Sequence, residues 1–195
     1  LETHLEELLR PKPNKTILGM RPQLYIYNIA GDPKDDKGLR AWMKNKVGEP
    51  PVLLSDVNRE YNENLLRNRL ENLGFFNAEV ASDTSITNRK ATVTYNAAPH
   101  IIYRINSVTF EVDSSALGKA IKATENESLL RAGRPYNLDH IISERERIDN
   151  HLKNKGYYFF SPDYLSIEVD STSGNHHVDL YVTVKAETPK KARQP

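Results

Sequence analysis

The sequence predicts an α+β protein made of two tandem units. Each is ordered strand–helix–helix–strand–strand, a small sheet of about three strands with two helices on one face. Three observations predict it. The first is a repeat: Leu70-Glu71-Asn72-Leu73-Gly74-Phe75-Phe76 and Leu152-Lys153-Asn154-Lys155-Gly156-Tyr157-Tyr158 share Leu-x-Asn-x-Gly-aromatic-aromatic, 82 positions apart. The second is its framing. Gly48-Glu49-Pro50 and Gly133-Arg134-Pro135 precede the two copies, and Pro99 and Pro189 close the strand-like runs after them. The third is a change of hydrophobic period within each unit, from helical to alternating. The units are 1–99 and 100–189, with 190–195 a polar linker tail. Each lies near the size, roughly 60–100 residues, at which a core becomes self-supporting.

The second unit reads most clearly. Val108, Phe110 and Val112 alternate with polar neighbours, as a half-buried strand requires. Tyr103 and Ile105 keep the opposite phase, which predicts a bulge near Asn106-Ser107. Ser114 or Ser115 caps a helix with Leu117, Ala120 and Ile121 inward. After the break at Gly133–Asn137, a second helix aligns Leu138, Ile141, Ile142, Ile148 and Leu152. Gly156 suits the left-handed position after a helix. Leu165, Ile167 and Val169 alternate toward the core, Ser171–Asn175 is a turn, and Val178, Leu180, Val182 and Val184 alternate again.

The first unit follows the same order with two changes. No strand precedes its opening helix (Leu1, Leu5, Leu8, Leu9), and an insertion of about residues 10–54 separates its helices. Within the insertion, Leu24-Tyr25-Ile26-Tyr27 reads as a short strand, and Leu39, Trp42, Met43 and Val47 as a helix. Its second helix starts at about Asp56 (Val57, Tyr61, Leu65, Leu66, Leu70, Leu73) and ends at Gly74. A hairpin follows: Phe75–Ser85, a turn at Thr87-Asn88-Arg89, then Ala91, Val93 and Tyr95. A strand ahead of Leu1 in a longer protein would complete this sheet. Without it the sheet has two strands and a vacant edge beside Val93.

Composition excludes several classes. The 195 residues are 38% apolar and 27% charged, and no run of 18 apolar residues exists. Lys plus Arg (27) nearly balances Asp plus Glu (26), unlike a general nucleic-acid binder. Without cysteine there is no disulfide framework, zinc finger or thiol catalysis. His176-His177 lies on a strand, where neighbours point to opposite faces. His140 and His151 are three helical turns apart, too far to share an ion. No pair of glycines fits a phosphate cradle, and no nucleophile-elbow or HExxH sequence occurs. The carboxylates of Glu60, Glu63, Glu71, Glu144 and Glu146 read as solvated helix faces. Phe75-Phe76 and Tyr157–Phe160 read as one ring in the core and one on the sheet rim, since no basic surface surrounds them. No catalytic residue, cofactor or metal is implied.

The repeated order, with Gly-x-Pro before the second helix and Gly-aromatic-aromatic opening the hairpin, resembles the POTRA domain. Asn14-Lys15-x-Ile17-Leu18-Gly19, Tyr25-x-Tyr27-Asn28 and Gly48-Glu49-Pro50-Pro51-Val52 are similar to the N-terminal region of TamA-like proteins of the BamA superfamily. The resemblance implies a periplasmic arm ahead of a C-terminal membrane barrel, in an outer-membrane protein assembly or translocation factor that works by binding. It implies recognition of extended β-barrel precursor segments at edge strands, and no nucleic acid. In POTRA domains the second strand is the exposed edge. Carried over, that is Asn77, Ala78, Glu79, Val80, Ala81, Ser82 and Asp83 in the first unit, and Leu165, Ser166, Ile167, Glu168 and Val169 in the second. The alternative is a passive spacer that docks a fixed, periplasm-spanning subunit of the TamB kind. Between Arg10 and Lys46 nine basic residues stand against three acidic ones. Lys34, Lys37, Arg40, Trp42, Lys44 and Lys46 there read either as a solvated loop with a packed helix, or as a docking surface for an acidic partner or anionic lipid headgroups.

Overall fold

The computed structural model describes residues 1–195 apart from Lys34, Arg89 and Ser173. Packing divides the chain into two compact units, Leu1–Leu66 with Ala81–Asn96, and Arg67–Val80 with Ala97–Pro195. In chain order the elements are α1 (Glu2–Glu6), α2 (Pro22–Ala30), α3 (Leu39–Trp42), α4 (Arg59–Asn72), β1 (Glu79–Thr87), β2 (Lys90–Ala98), β3 (Arg104–Phe110), α5 (Ala116–Lys122), α6 (Leu138–Asn154), β4 (Leu165–Asp170) and β5 (His177–Val184).

In the second unit the sheet order is β3-β5-β4. β5 lies parallel to β3 and antiparallel to β4. The register of β3 slips between Ile105 and Ser107, the bulge that its change of phase predicts. Val178, Leu180 and Val182 of the central strand are fully buried. Burial of each contributes at most about 1.5–3 kcal/mol. Ser115 caps α5 by accepting the Gly118 amide, and Asn137 caps α6 by accepting that of Asp139. Ile148 and Leu152 of α6 pack inward with Leu117 and Ile121 of α5, and Ile141 packs with Val178 and Leu180. Ile142, expected on that stripe, is exposed, because the helical step from Ile141 turns it away from the core. Tyr157 and Phe160 are buried, whereas Tyr158 and Phe159 lie outside.

The 190–195 segment, expected as a linker tail, packs instead. It forms a short 3₁₀ turn, Lys190–Arg193, that buries Ala192 beside Phe110, Leu117 and Val182. The Arg193 guanidinium donates to the carbonyls of Thr188, Lys185 and Ala186. A single small residue fills the gap, so no periodicity betrays it.

In the first unit Leu24-Tyr25-Ile26-Tyr27 is helical, within α2, rather than the expected strand. Pro22 at the start of the helix presets its first turn, and a four-residue apolar run does not by itself distinguish strand from helix. α3 runs on into a wider π-type turn, Met43–Val47, closed by the Gly48 amide on the Met43 carbonyl at 2.7 Å. Gly48 lies against α2: a Cβ there would stand 2.9 Å from the Tyr27 Cα, which explains the glycine of the first Gly-x-Pro. α1, which holds part of the opening Leu1, Leu5, Leu8, Leu9 stripe, has no buried residue. α4 begins at Arg59, three residues beyond the expected Asp56, which instead closes a 3₁₀ turn at Leu54–Asp56.

Two buried asparagines hold the irregular segment. Asn14 donates to the Pro50 carbonyl at 2.7 Å and accepts the Val52 amide at 3.0 Å. Asn62 accepts the Arg10 amide and donates to the Arg10 carbonyl and the Tyr95 hydroxyl. These bonds satisfy backbone groups that no regular element pairs. Among the described residues the first sheet has two strands, β1 and β2.

Candidate functional site

The second sheet has two edges, and they differ. At the start of β3 the outer backbone groups are taken up by the Gly133-Arg134-Pro135-Tyr136 segment. Gly133 N–H donates to Ile105 O at 2.7 Å, Ile105 N–H to Arg134 O at 2.8 Å, and Tyr136 N–H to Tyr103 O at 2.9 Å. Arg104 and Pro135 stand opposite each other as an isolated bridge. The Gly-x-Pro motif therefore covers the start of an edge as well as breaking the chain. Its proline has no amide with which to extend the pairing.

β4 has β5 on one side and, among the described residues, no strand on the other. Its register runs from Leu165 opposite Val184 to Asp170 opposite Asp179. The phase of its hydrogen bonds follows from the preceding pair, in which Lys185 N–H donates to Tyr164 O at 2.9 Å. Antiparallel pairing alternates bonded and non-bonded pairs. Ser166, Glu168 and Asp170 therefore turn their backbone groups toward β5, and Leu165, Ile167 and Val169 turn theirs outward. The side chains on that second set open progressively: Leu165 is buried, Ile167 half-buried and Val169 38% exposed. Val169 was expected to face the core. It stands one residue before the strand ends at Asp170.

Charges brace the open end of this edge. Asp170 accepts the Thr172 hydroxyl at 2.6 Å and its amide at 2.8 Å, which holds the carboxyl below the usual carboxylate range. Across the pair, Asp179 accepts the Asn106 side-chain amide at 2.8 Å and the Ser107 hydroxyl.

The first unit's expected edge is shorter than the sequence suggested. Asn77 and Ala78 precede β1, in a turn closed by the Ala78 amide on Phe75 O at 3.0 Å. A tight turn after the glycine takes up these two residues, so they offer no strand edge. Glu79, Ala81 and Asp83 in β1 are exposed and Val80 is buried. Ser82 donates to Glu63 at 2.5 Å.

The basic residues singled out near Trp42 differ in their surroundings. Lys34 lies outside the described residues. Lys37, Arg40 and Lys46 are exposed, and Trp42 is 55% exposed. Lys44 is engaged within the unit, 2.5 Å from Asp32 and over the Tyr27 ring at 5.0 Å. The hydrogen bond with Asp32 raises the Lys44 pKa and lowers that of Asp32. The sequence pointed to none of the pairing that covers β3; only the Gly-x-Pro signalled that something happens there. Among the described residues no three His, Asp or Glu side chains converge as a metal site.

The sequence profile of the POTRA family, described as "Surface antigen variable number repeat", matches residues 27–99 and 103–187. The first match begins inside α2 and leaves out α1, which the sequence reading took as that unit's first helix. No curated protein matches the chain. Among solved structures, Haemophilus influenzae BamA POTRA3-5 is 18% identical, covers 86% of this chain and 56% of its own, and has a TM-score of 0.39. BamA from Haemophilus ducreyi lacking POTRA domains 1-3 is 12% identical, over 71% of this chain and 24% of its own, with a TM-score of 0.45. POTRA1-3 of the periplasmic domain of Omp85 from Anabaena is 15% identical, over 95% and 65%, with a TM-score of 0.33. The chain thus spans about half the length of the first of these and a quarter of the second.

Proposed function

The chain belongs to the POTRA family, in two tandem copies, and from that premise we propose that it is the periplasmic protein-binding arm of an outer-membrane protein assembly or translocation factor. The domains run to about residue 99 and from about residue 100. Extended client segments pair with β4 as an added strand. One observation carries this reading: residues 133–136 take up the outer backbone groups at the start of β3, while, among the described residues, the outward N–H and C=O groups of Leu165, Ile167 and Val169 have no strand beside them. Backbone pairing is nearly blind to side chains, which suits a receptor for many unfolded barrel strands. The half-open Ile167 and Val169 side chains favour clients with alternating apolar residues.

Fluorescence anisotropy with labelled, alternating apolar–polar peptides tests it. The chain should bind them weakly, and Val169→Pro, which deletes one outward donor, should abolish the signal with the circular dichroism spectrum unchanged. Binding that survives Val169→Pro removes the β4 mechanism. A folded chain that binds no such peptide leaves the arm as a spacer for a fixed partner.

A further inference from the structure

The apolar turn Ile17–Met20 and the outer face of α2 have no role in strand pairing, and what they expose is unusual for a small domain. Ile17 and Met20 exchange backbone hydrogen bonds at 2.8 and 3.0 Å, so Leu18 and Gly19 form the tip of a tight turn. Leu18 sits there in the left-handed region (φ +50°) with 94% of its surface exposed. A bulky residue is costly in that conformation, and a polar one would suit both the turn and the solvent. Beside the tip, Met20, Pro22, Tyr25 and Ile26 continue an open, wholly apolar surface with Ile17 and Leu18. Tyr25 and Ile29, one helical turn apart, are 67% and 69% exposed.

The charge around this surface has one sign. From Leu8 to Gly31 the chain carries no Asp or Glu and four cations: Arg10, Lys12, Lys15 and Arg21. The Arg10 guanidinium is used on the carbonyls of Glu7 and Leu9. Lys12 and Lys15 are exposed and Arg21 is half-buried beside Met20. Glu49 is the carboxylate that reaches this stretch, and it accepts the Lys15 backbone amide at 3.2 Å.

We propose that the Ile17–Met20 tip and the Tyr25/Ile29 face of α2 form a membrane-surface contact, seating apolar side chains at the acyl boundary of an anionic bilayer while Lys12, Lys15 and Arg21 meet its headgroups. Apolar side chains backed by cations are the composition that lies in a lipid interface. The convex tip favours lipid over protein. A fluid acyl layer accepts a protruding Leu without a matching shape, whereas a protein partner must supply a pocket for it. The contact is separate from β4 and stands whether or not clients pair there.

Flotation of the 195-residue chain tests it, with vesicles of phosphatidylcholine alone and of equal parts phosphatidylcholine and phosphatidylglycerol. The chain should float with the anionic vesicles and release as salt is raised. Leu18→Asp should lower the partition coefficient about tenfold. Lys12→Gln and Lys15→Gln should each lower it about fivefold at low salt. Leu18 is 94% exposed, so an unchanged circular dichroism spectrum is expected and excludes unfolding as the cause. Equal binding to neutral vesicles, no binding to either, or anionic binding indifferent to Leu18→Asp overturns the proposal. So does concentration-dependent self-association that Leu18→Asp abolishes while vesicles are ignored, which would make the face a protein interface.

Discussion

Gly74 approaches Tyr136 so closely that a Cβ on the glycine would lie 2.8 Å from the Tyr136 carbonyl oxygen. Gly74 also has φ of +94° and accepts the Tyr103 amide at 2.8 Å. Its repeat counterpart, Gly156, has φ of +96°, but a Cβ there would meet Pro195 alone, its Cβ at 3.2 Å and its backbone at an ordinary 3.7 Å. The same motif therefore carries different constraints in its two copies.

Gly74→Ala should accordingly cost about 2–3 kcal/mol, combining left-handed strain with a backbone clash. Gly156→Ala should cost about 1 kcal/mol, from the strain alone. Urea denaturation of the two variants checks the order; an equal or reversed ranking contradicts the clash at Tyr136.

Proline should separate the two sides of β4. Glu168→Pro deletes an amide that points toward β5 and should destabilise by about 3 kcal/mol. Val169→Pro deletes one that points outward and should cost less than about 1 kcal/mol. Thermal melts that rank them the other way would reverse the assigned phase of hydrogen bonding.

Acid should weaken the second unit through Glu144. This carboxylate is fully buried. Burial by itself would raise its pKa, but the two hydrogen bonds from Arg147, the Leu129 amide and the Ser128 hydroxyl outweigh it and hold the pKa below the ordinary value. A pKa lower in the folded than in the unfolded chain gives stability that is present above the unfolded value, about 4.3. That stability is lost as pH falls through the folded value. Glu144→Gln should therefore cost about 3 kcal/mol at neutral pH, with the deficit shrinking as pH falls through the folded value. A deficit independent of pH would remove the ion pair as its cause.

Removing residues 190–195 should destabilise the second unit by about 2 kcal/mol, since Ala192 fills its core and Arg193 bonds three carbonyls. An unchanged melting temperature would return the segment to the status of a linker.

Hydrogen exchange should rank the hairpins. β2 is exposed along most of its length, while β5 is buried at alternate positions between two partners. Amides of β1 and β2 should exchange well before those of β4 and β5. Equal protection would show that the first sheet is already complete.

The legible parts of the fold were those with a periodic signal. Alternation at Val178, Leu180 and Val182, the Ser115 cap, the phase change at Asn106 and both left-handed glycines could all be read directly. The illegible parts are set by single contacts. α2 defeated its β-rich composition because Pro22 and the close approach at Gly48 decide its shape. Ala192 gave no pattern because one small residue makes none. At the candidate site β4 was readable as a strand from the alternation of Leu165, Ile167 and Val169, while its place at an edge was expected from the family resemblance alone. Which of its amides face outward was not, because that phase depends on the pairing of Tyr164 with Lys185.

The pairing of residues 133–136 with the start of β3 makes the two sides of the second sheet unequal. A sheet with two equally open sides can accept a strand on each and so become a link in a growing ribbon, joining one molecule to the next without limit. Under the proposed strand addition, blocking the first residues of β3 shortens the stretch left for a second guest and biases growth to the β4 side. That bias rests on three backbone hydrogen bonds, from Gly133 N–H to Ile105 O, from Ile105 N–H to Arg134 O and from Tyr136 N–H to Tyr103 O.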